Sequence, residues 1–117
     1  MRYLCLIYDD EKNGSGRSKS EADAFMGEYM AFTQGIRNSG HYVAGDALQP
    51  VQTATTVRVR NGKVTTTDGP FAETKEQLAG FYLIDASDLN EAIQVASKIP
   101  PARVGSIEVR PVRQLSV

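Results

Sequence analysis

Two carboxylates and one histidine are the residues whose types and positions point to chemistry. Asp46 follows Gly45 at the predicted end of a strand, where an apolar cleft would raise the pKa of its carboxyl toward that of a general base. Glu73 lies beside a rigid turn, a place from which a fold presents polar groups at a pocket mouth. His41 is the chain's single histidine and a candidate general base. Each has an ordinary alternative: a solvated turn aspartate, a solvated approach to a strand and a strand-end histidine.

A rigid corner is predicted at Asp68-Gly69-Pro70, which is a turn sequence. The Asp68 carboxylate is expected to accept backbone N–H bonds there, and Phe71 is expected to anchor the corner by burial in the core. Asp68 and Phe71 are also candidate ligand contacts. Arg58 and Tyr82 are further candidates, since such side chains bind an anion or a ring hydroxyl. Both also suit an ordinary strand surface.

Composition argues against several functions. The formal net charge of -1 offers no general attraction to phosphate backbones, so nucleic-acid binding is not predicted. Cys5 is the one cysteine, which rules out an internal disulfide and, with one histidine, predicts no metal site. No nucleotide-binding motif is present, and no cofactor is predicted. No stretch approaches the ~20 apolar residues of a membrane span, and no signal sequence is apparent, so a cytoplasmic location is expected.

The elements that must position these residues follow from periodicity. Apolar residues at three- and four-residue spacing after Ser20 predict an amphipathic helix that Gly40 ends. Asn61-Gly62 is the preferred pair for a two-residue type I′ hairpin turn, and it sets Val59 opposite Val64. A loop is predicted at Asp9–Gly16, and a second helix is predicted to begin at Ser87. The remaining predicted strands are Arg2–Tyr8, His41–Ala44, Leu78–Ile84 and Ser106–Val112.

This order is β-α-β, a hairpin, then β-α-β, in one α+β domain spanning residues 1–117. It predicts a ferredoxin-like plan with an inserted hairpin. Two helices cover only one face of such a sheet, yet the strands Tyr3–Tyr8 and Leu78–Ile84 are apolar on both parities. A second copy of the chain is the simplest cover for the other face. A homodimer is therefore predicted.

Three segments together carry a family resemblance. They are Leu48-Gln49-Pro50, the run Asp68–Glu76 continuing to Gly80-Phe81-Tyr82, and Val109-Arg110-Pro111. The chain resembles the DGPF group of YCII-related proteins over essentially its whole length. The resemblance implies a dimeric α/β barrel, in which two sheets pack face to face. Some YCII relatives have a proposed His–Asp pair with the histidine on the first helix; this chain has none there, so that pair is not carried over.

Two hypotheses about function follow. The first is a homodimer that binds, or also transforms, a small polar or aromatic molecule in a cleft near the Asp-Gly-Pro-Phe segment. The second is a non-catalytic accessory or regulatory partner, for instance of an extracytoplasmic-function sigma-factor system, as the resemblance implies. Whether the protein is an enzyme is left open, because one fold hosts many chemistries.

Overall fold

The computed structural model describes residues 1–115. Its elements follow the predicted alternation of strands and helices, with short 3₁₀ turns at Val51–Thr53 and Pro100–Arg103. The strands are β1 (Arg2–Asp9), β2 (Tyr42–Ala47), β3 (Thr55–Arg60), β4 (Lys63–Asp68), β5 (Gln77–Asp85) and β6 (Ser106–Pro111). The helices are α1 (Glu11–Ser15), α2 (Lys19–Asn38) and α3 (Leu89–Ala96).

Strand β1 lies inside an antiparallel sheet whose order is β2-β5-β1-β6. With one helix after β1 and another after β5, this is the strand order of the ferredoxin-like plan. Strands β3 and β4 form a separate two-stranded sheet. The α+β class is therefore confirmed, and the hairpin is an insertion between the two halves, as predicted.

The core lies between the sheet and the two longer helices. Tyr3, Cys5 and Ile7 of β1 alternate toward it and are buried, as is Ile84 of β5. Ile36 of α2 and the α3 residues Ala92, Val95 and Ala96 also belong to it. Burial raises the pKa of the Cys5 thiol to about 11, which keeps it protonated and unreactive at neutral pH.

The helices begin at different residues from those predicted. Ser18, not Ser20, caps α2: its hydroxyl accepts from Glu21 N, while the Glu21 side chain accepts from Ser18 N. This is a full capping box, and it extends the helix toward the N-terminus. Asp88, not Ser87, caps α3 by accepting from the backbone N–H three residues on. In both cases a second polar residue close in the sequence could also cap the helix, and the residue with extended backbone immediately before the helix does so.

The β3–β4 hairpin confirms the predicted register, with Val59 opposite Val64. Asn61 has φ 52° and Gly62 has φ 75°, the left-handed pair that a type I′ turn requires. Val57, Val59 and Val64 are each more than half exposed. The molecule is extended, with a radius of gyration of 16.3 Å against about 13 Å for a compact chain of this length, and the exposed valines indicate that the hairpin is not packed on the body.

The second face of the sheet remains partly exposed. Leu4 pairs with Leu83 and Leu6 with Phe81, and their side chains alternate away from the buried residues of β1. Charged residues border this apolar strip, because Arg110 lies beside Leu4 and Glu108 beside Leu6 on β6. We call the strip formed by Leu4, Leu6, Phe81 and Leu83 the open face.

Candidate functional site

The largest concavity described, of about 890 Å³, lies at the base of the hairpin. Two segments that are separated by the whole hairpin line it: residues 48–56, which include Leu48-Gln49-Pro50, and residues 70–74, which include Phe71 and Glu73. Tyr8, Gln77 and Leu78 complete the lining. We call this concavity the large cleft. Its volume falls in the range of about 300–1,000 Å³ typical of small-molecule sites.

Backbone hydrogen bonds hold both walls of the large cleft. A bulge opposite Ile7 and Tyr8 leaves Ala79 without a partner on β1, and its carbonyl accepts from Leu48 N at 2.8 Å. On the other wall, Gly69 N donates to Ala54 O at 2.7 Å. Gly69 has φ 98°, a conformation that glycine adopts without strain. Both segments are thus anchored immediately beside the residues that line the cleft.

The segment predicted as a loop, Asp9–Gly16, contributes to the same site. Asp10 caps the short helix α1, and Glu11 at its start bridges two elements. Glu11 N donates to Gln77 Oε1 at 2.9 Å, and the Glu11 carboxylate accepts from Val51 N at 3.0 Å. The prediction of a loop here was wrong. The sequence does contain a local helix signal, since an aspartate precedes residues that are able to form one helical turn. The glycines of the segment favoured a loop and outweighed that signal.

Phe71 is not the core anchor that the sequence predicted. Its side chain is 81% exposed and lies on the lining of the large cleft. Among the described hydrogen bonds, the corner is held by Gly69 N and by Thr56 Oγ1, which donates to Gly69 O at 2.8 Å; none is accepted by the Asp68 carboxylate. Both expectations were therefore wrong, since the hairpin ladder satisfies the corner and leaves Phe71 with nothing to cover it.

The remaining polar candidate residues around the hairpin lie in different places. Glu73 is exposed on the lining of the large cleft, and it takes part in no described hydrogen bond or ion pair. Asp68 pairs with Thr55 at the base of the hairpin, and Arg58 lies opposite Thr65 farther along it. Neither Asp68 nor Arg58 belongs to the lining of the large cleft.

A second, smaller cavity of about 260 Å³ lies between α2 and the edge strand β2. Asp46 and Tyr82 belong to its lining, so the structure places them apart from Phe71 and Glu73. We call it the tyrosine pocket. Its lining residues are Ile7, Tyr29, Thr33, Arg37, Tyr42, Gly45, Asp46, Ala47, Gly80 and Tyr82.

Two hydroxyls in the tyrosine pocket have a defined hydrogen-bond direction. Thr33 Oγ1 donates to Tyr29 O at 2.9 Å and lies 2.5 Å from the Tyr82 hydroxyl. A threonine hydroxyl carries one proton, so Tyr82 is the donor to Thr33. Burial raises the pKa of Tyr82. Burial also raises the pKa of Tyr29, to about 12. Both rings therefore carry neutral hydroxyls at physiological pH.

His41 lies in a third cluster, outside the linings of both cavities. Its Nδ1 is 2.6 Å from Ser39 Oγ, and its Nε2 is 2.7 Å from a Glu91 carboxylate oxygen. Ser87 donates to the other Glu91 oxygen. These hydrogen bonds, first from Ser87 and then from His41, lower the pKa of Glu91. The cluster ties the end of α2 to the first turn of α3, and both ring nitrogens of His41 are occupied.

The sheet topology defines a ferredoxin-like α+β domain. Residues 48–56 and 70–74 together form a cleft at the base of its inserted hairpin. The profile of the YCII-related domain family matches residues 1–116, and the chain belongs to that family. It is also similar to an uncharacterized protein, R00369, of Rhizobium meliloti (strain 1021). The two are 42% identical over 113 residues, which cover 95% of this chain and 91% of the relative.

Two absences within residues 1–115 bear on possible roles. No helix in this range is long and apolar enough to cross a bilayer. Within the same residues, no group of three or more His, Cys, Asp or Glu side chains is placed to hold a metal ion.

Proposed function

We propose that this protein is a homodimer that binds a small polar or aromatic molecule in the large cleft. The observation that carries the proposal is the meeting of Leu48-Gln49-Pro50 with Pro70–Glu73 on one lining. Hydrogen bonds at Ala79, Ala54 and Thr56 hold those walls in place before any ligand arrives. A preorganised site loses little binding free energy to conformational ordering.

The lining suggests the chemistry of the ligand. Phe71, Leu48 and Leu78 offer exposed apolar surface at the cleft, and an aromatic ring is suited to face or edge contact with a flat molecule. The Glu73 carboxylate, which has no described partner, would accept a hydrogen bond from a ligand hydroxyl or amine. The supported ligand class is therefore a small molecule that combines a ring or short apolar part with a polar donor.

A second copy of the chain is the proposed cover for the open face. Leu4, Leu6, Phe81 and Leu83 form a continuous apolar strip there, and a twofold axis would bring two such strips together to close a dimeric barrel. The exposed valines of the hairpin support the same arrangement. An isolated two-stranded hairpin is marginally stable in water, and packing against the partner subunit would stabilise it.

The proposal extends from binding to catalysis, in which the protein also transforms the bound molecule. Glu73 is the carboxylate on the lining of the large cleft and would be its acid or base. Asp46 is not part of the lining of the large cleft, and His41 already bonds Ser39 and Glu91. A general base must reach the proton it removes, so Asp46 and His41 are less favoured than Glu73 for catalysis in this cleft.

A thermal-shift screen of small aromatic and hydroxylated metabolites tests the proposal, because a ligand that binds only the folded protein raises its stability. Compounds that stabilise the natural protein should lose their effect on Phe71→Ala. Met30→Ala is the matched control, since Met30 is a similarly exposed apolar side chain on α2. Stabilisation that persists in Phe71→Ala would show that binding occurs elsewhere.

The exposure of Phe71 also favours a second candidate function, that of a non-catalytic regulatory partner. An aromatic side chain that is 81% exposed beside other apolar groups is typical of a protein-binding hot spot. The partner to test is an extracytoplasmic-function sigma factor from the same organism. Co-purification that Phe71→Ala abolishes and Met30→Ala preserves would support this role in place of small-molecule binding.

A further inference from the structure

The tyrosine pocket holds one cation that is not neutralised within the described chain. Arg37 belongs to its lining, and the guanidinium lies over the Tyr42 ring, 4.5 Å from its centroid. Among the ion pairs formed by residues 1–115, none involves Arg37. Stacking leaves the edge of the guanidinium fork free to donate, and that fork matches the two oxygens of a carboxylate.

The other charged residue on the lining does not oppose an anion. Gly45 and Ala47 pair with Tyr82 and Gly80, whereas Asp46 between them pairs with Phe81. Successive strand side chains point to opposite faces, so the Asp46 carboxylate lies on the open face of the sheet. The backbone of Asp46, and not its side chain, borders the pocket. Asp46 O would be the atom nearest to a Cβ added at Gly80.

Aromatic rings surround the space beside Arg37. The Tyr29 and Tyr82 rings are stacked with centroids 6.5 Å apart, and the Tyr42 ring meets Tyr82 edge-on at 6.4 Å. Two glycines allow close packing on the sheet side: a Cβ at Gly45 would lie 2.7 Å from Tyr82 Cδ1, and one at Gly80 would lie 2.7 Å from Asp46 O. The three aromatic rings suit contact with a flat ligand.

The two ends of the pocket differ in polarity. Arg37 and Tyr29 are two turns apart on one face of α2, so about 12 Å of helix separates them. Asp9 lies near enough to Tyr29 that its charge contributes to the raised pKa of that residue. A ligand would place its anionic group at Arg37 and a hydrogen-bond donor toward Tyr29. The volume of about 260 Å³ is below that of sites for drug-sized molecules, and it favours one ring.

From these contacts we propose that the tyrosine pocket is a binding site for a small single-ring aryl carboxylate, with the Arg37 guanidinium as its anchor. A hydroxyl para to the carboxylate should strengthen binding by reaching the Tyr29 end. The site is separate from the large cleft and does not depend on the function proposed there.

Titration of the ¹⁵N-labelled protein with benzoate, 4-hydroxybenzoate and benzyl alcohol tests this proposal. The two carboxylates should shift the amides of Tyr29, Gly45 and Tyr82, and 4-hydroxybenzoate should bind more tightly than benzoate. Benzyl alcohol, which has the ring but no charge, should bind at least about tenfold more weakly than benzoate. Absence of carboxylate binding even at millimolar concentration would overturn the proposal.

Variants identify the anchor. Arg37→Gln should weaken benzoate binding about tenfold or more, and Arg37→Lys should have a smaller effect because it keeps the charge and loses the fork. Arg113→Gln is the matched control, since Arg113 is exposed beyond β6. Equal affinity in Arg37→Gln and the natural protein, or amide shifts confined to the large cleft, would contradict the assignment.

Discussion

The hydroxyl of Thr56 donates to the carbonyl of Gly69 at 2.8 Å, and this bond joins the start of the hairpin to the corner that leads into the large cleft. Thr56→Val keeps the shape of the side chain and leaves the partly buried Gly69 carbonyl with one partner fewer. We expect a loss of about 1–2 kcal/mol in the free energy of unfolding, measured by urea denaturation.

Thr67→Val is the control for that change. Thr67 pairs directly with Thr56 across the hairpin and is exposed, and its hydroxyl makes no hydrogen bond described in residues 1–115. Valine suits a strand at least as well as threonine, so Thr67→Val should be close to neutral. Equal stability of the two variants would show that the Thr56 hydroxyl does not hold the corner.

Glycine-to-alanine substitutions at two positions with free space around them distinguish the effect of backbone conformation on stability from the effect of side-chain packing. A Cβ at Gly62 or at Gly27 would have no neighbour within 4 Å, but Gly62 has φ 75° and Gly27 is inside α2. Gly62→Ala should destabilise by about 1 kcal/mol, and Gly27→Ala should stabilise by about 0.5–1 kcal/mol. Thermal unfolding of both variants measures the difference. Unchanged or raised stability of Gly62→Ala would refute the type I′ turn.

Replacement of Leu6 by glutamate tests the proposed dimer. Leu6 lies on the open face between Phe81 and Glu108, so Leu6→Glu would bury two like charges at the proposed interface, which is strongly unfavourable. Light scattering at micromolar concentration should give a dimer for the natural protein and a monomer for this variant. Met30→Glu, on the exposed side of α2, should remain dimeric. A natural protein of monomer mass would end the dimer proposal.

Glu73→Gln tests the role of the carboxylate in the large cleft. The side chain is exposed, so the stability of the variant should match that of the natural protein. Binding of ligands found in the screen should weaken by about 1–3 kcal/mol, since a charge-assisted hydrogen bond is lost. Asp23→Asn, which removes an exposed carboxylate from α2, is the control. If calorimetry finds equal affinities for all three proteins, Glu73 is only a solvated surface group.

The Glu91 cluster should give stability a specific pH dependence. Hydrogen bonds from Ser87 and His41 lower the pKa of Glu91 below its ordinary value of 4.5. A lowered folded-state pKa stabilises the protein above the unfolded-state pKa, and this contribution is lost as the pH falls through the folded-state value. The stability advantage over Glu91→Gln should therefore be full above pH 4.5 and shrink below it.

Denaturation of the natural protein and its variants between about pH 3 and pH 6 measures this effect. Ser87→Ala removes the first of the hydrogen bonds that lower the pKa of Glu91, so it should reduce the pH dependence without abolishing it. A difference between the natural protein and Glu91→Gln that is constant across this range would show that Glu91 is not linked to folding.

The sequence by itself determined the features that depend on near neighbours. Asn61-Gly62 set the register of the hairpin, because few residues adopt a left-handed conformation without strain. In the last strand, the alternation of Ile107 and Val109 with charged residues is enough to direct both toward the core, where they lie beside Ile7 and Cys5. Periodicity likewise located α2 and α3. Where two nearby polar residues could each cap a helix, however, the local signal was insufficient.

Only the tertiary structure decided the site. The shared lining formed by Leu48–Pro50 and Phe71, the exposure of Phe71, and the absence of Asp46 from the cleft that Glu73 lines all depend on how distant segments pack. Arg37 was not singled out from the sequence, because a basic residue in the last turn of a helix also serves the helix dipole. Turns and periodicity are set by interactions within a few residues, whereas a cavity exists only after chain entropy has been overcome by packing between remote elements.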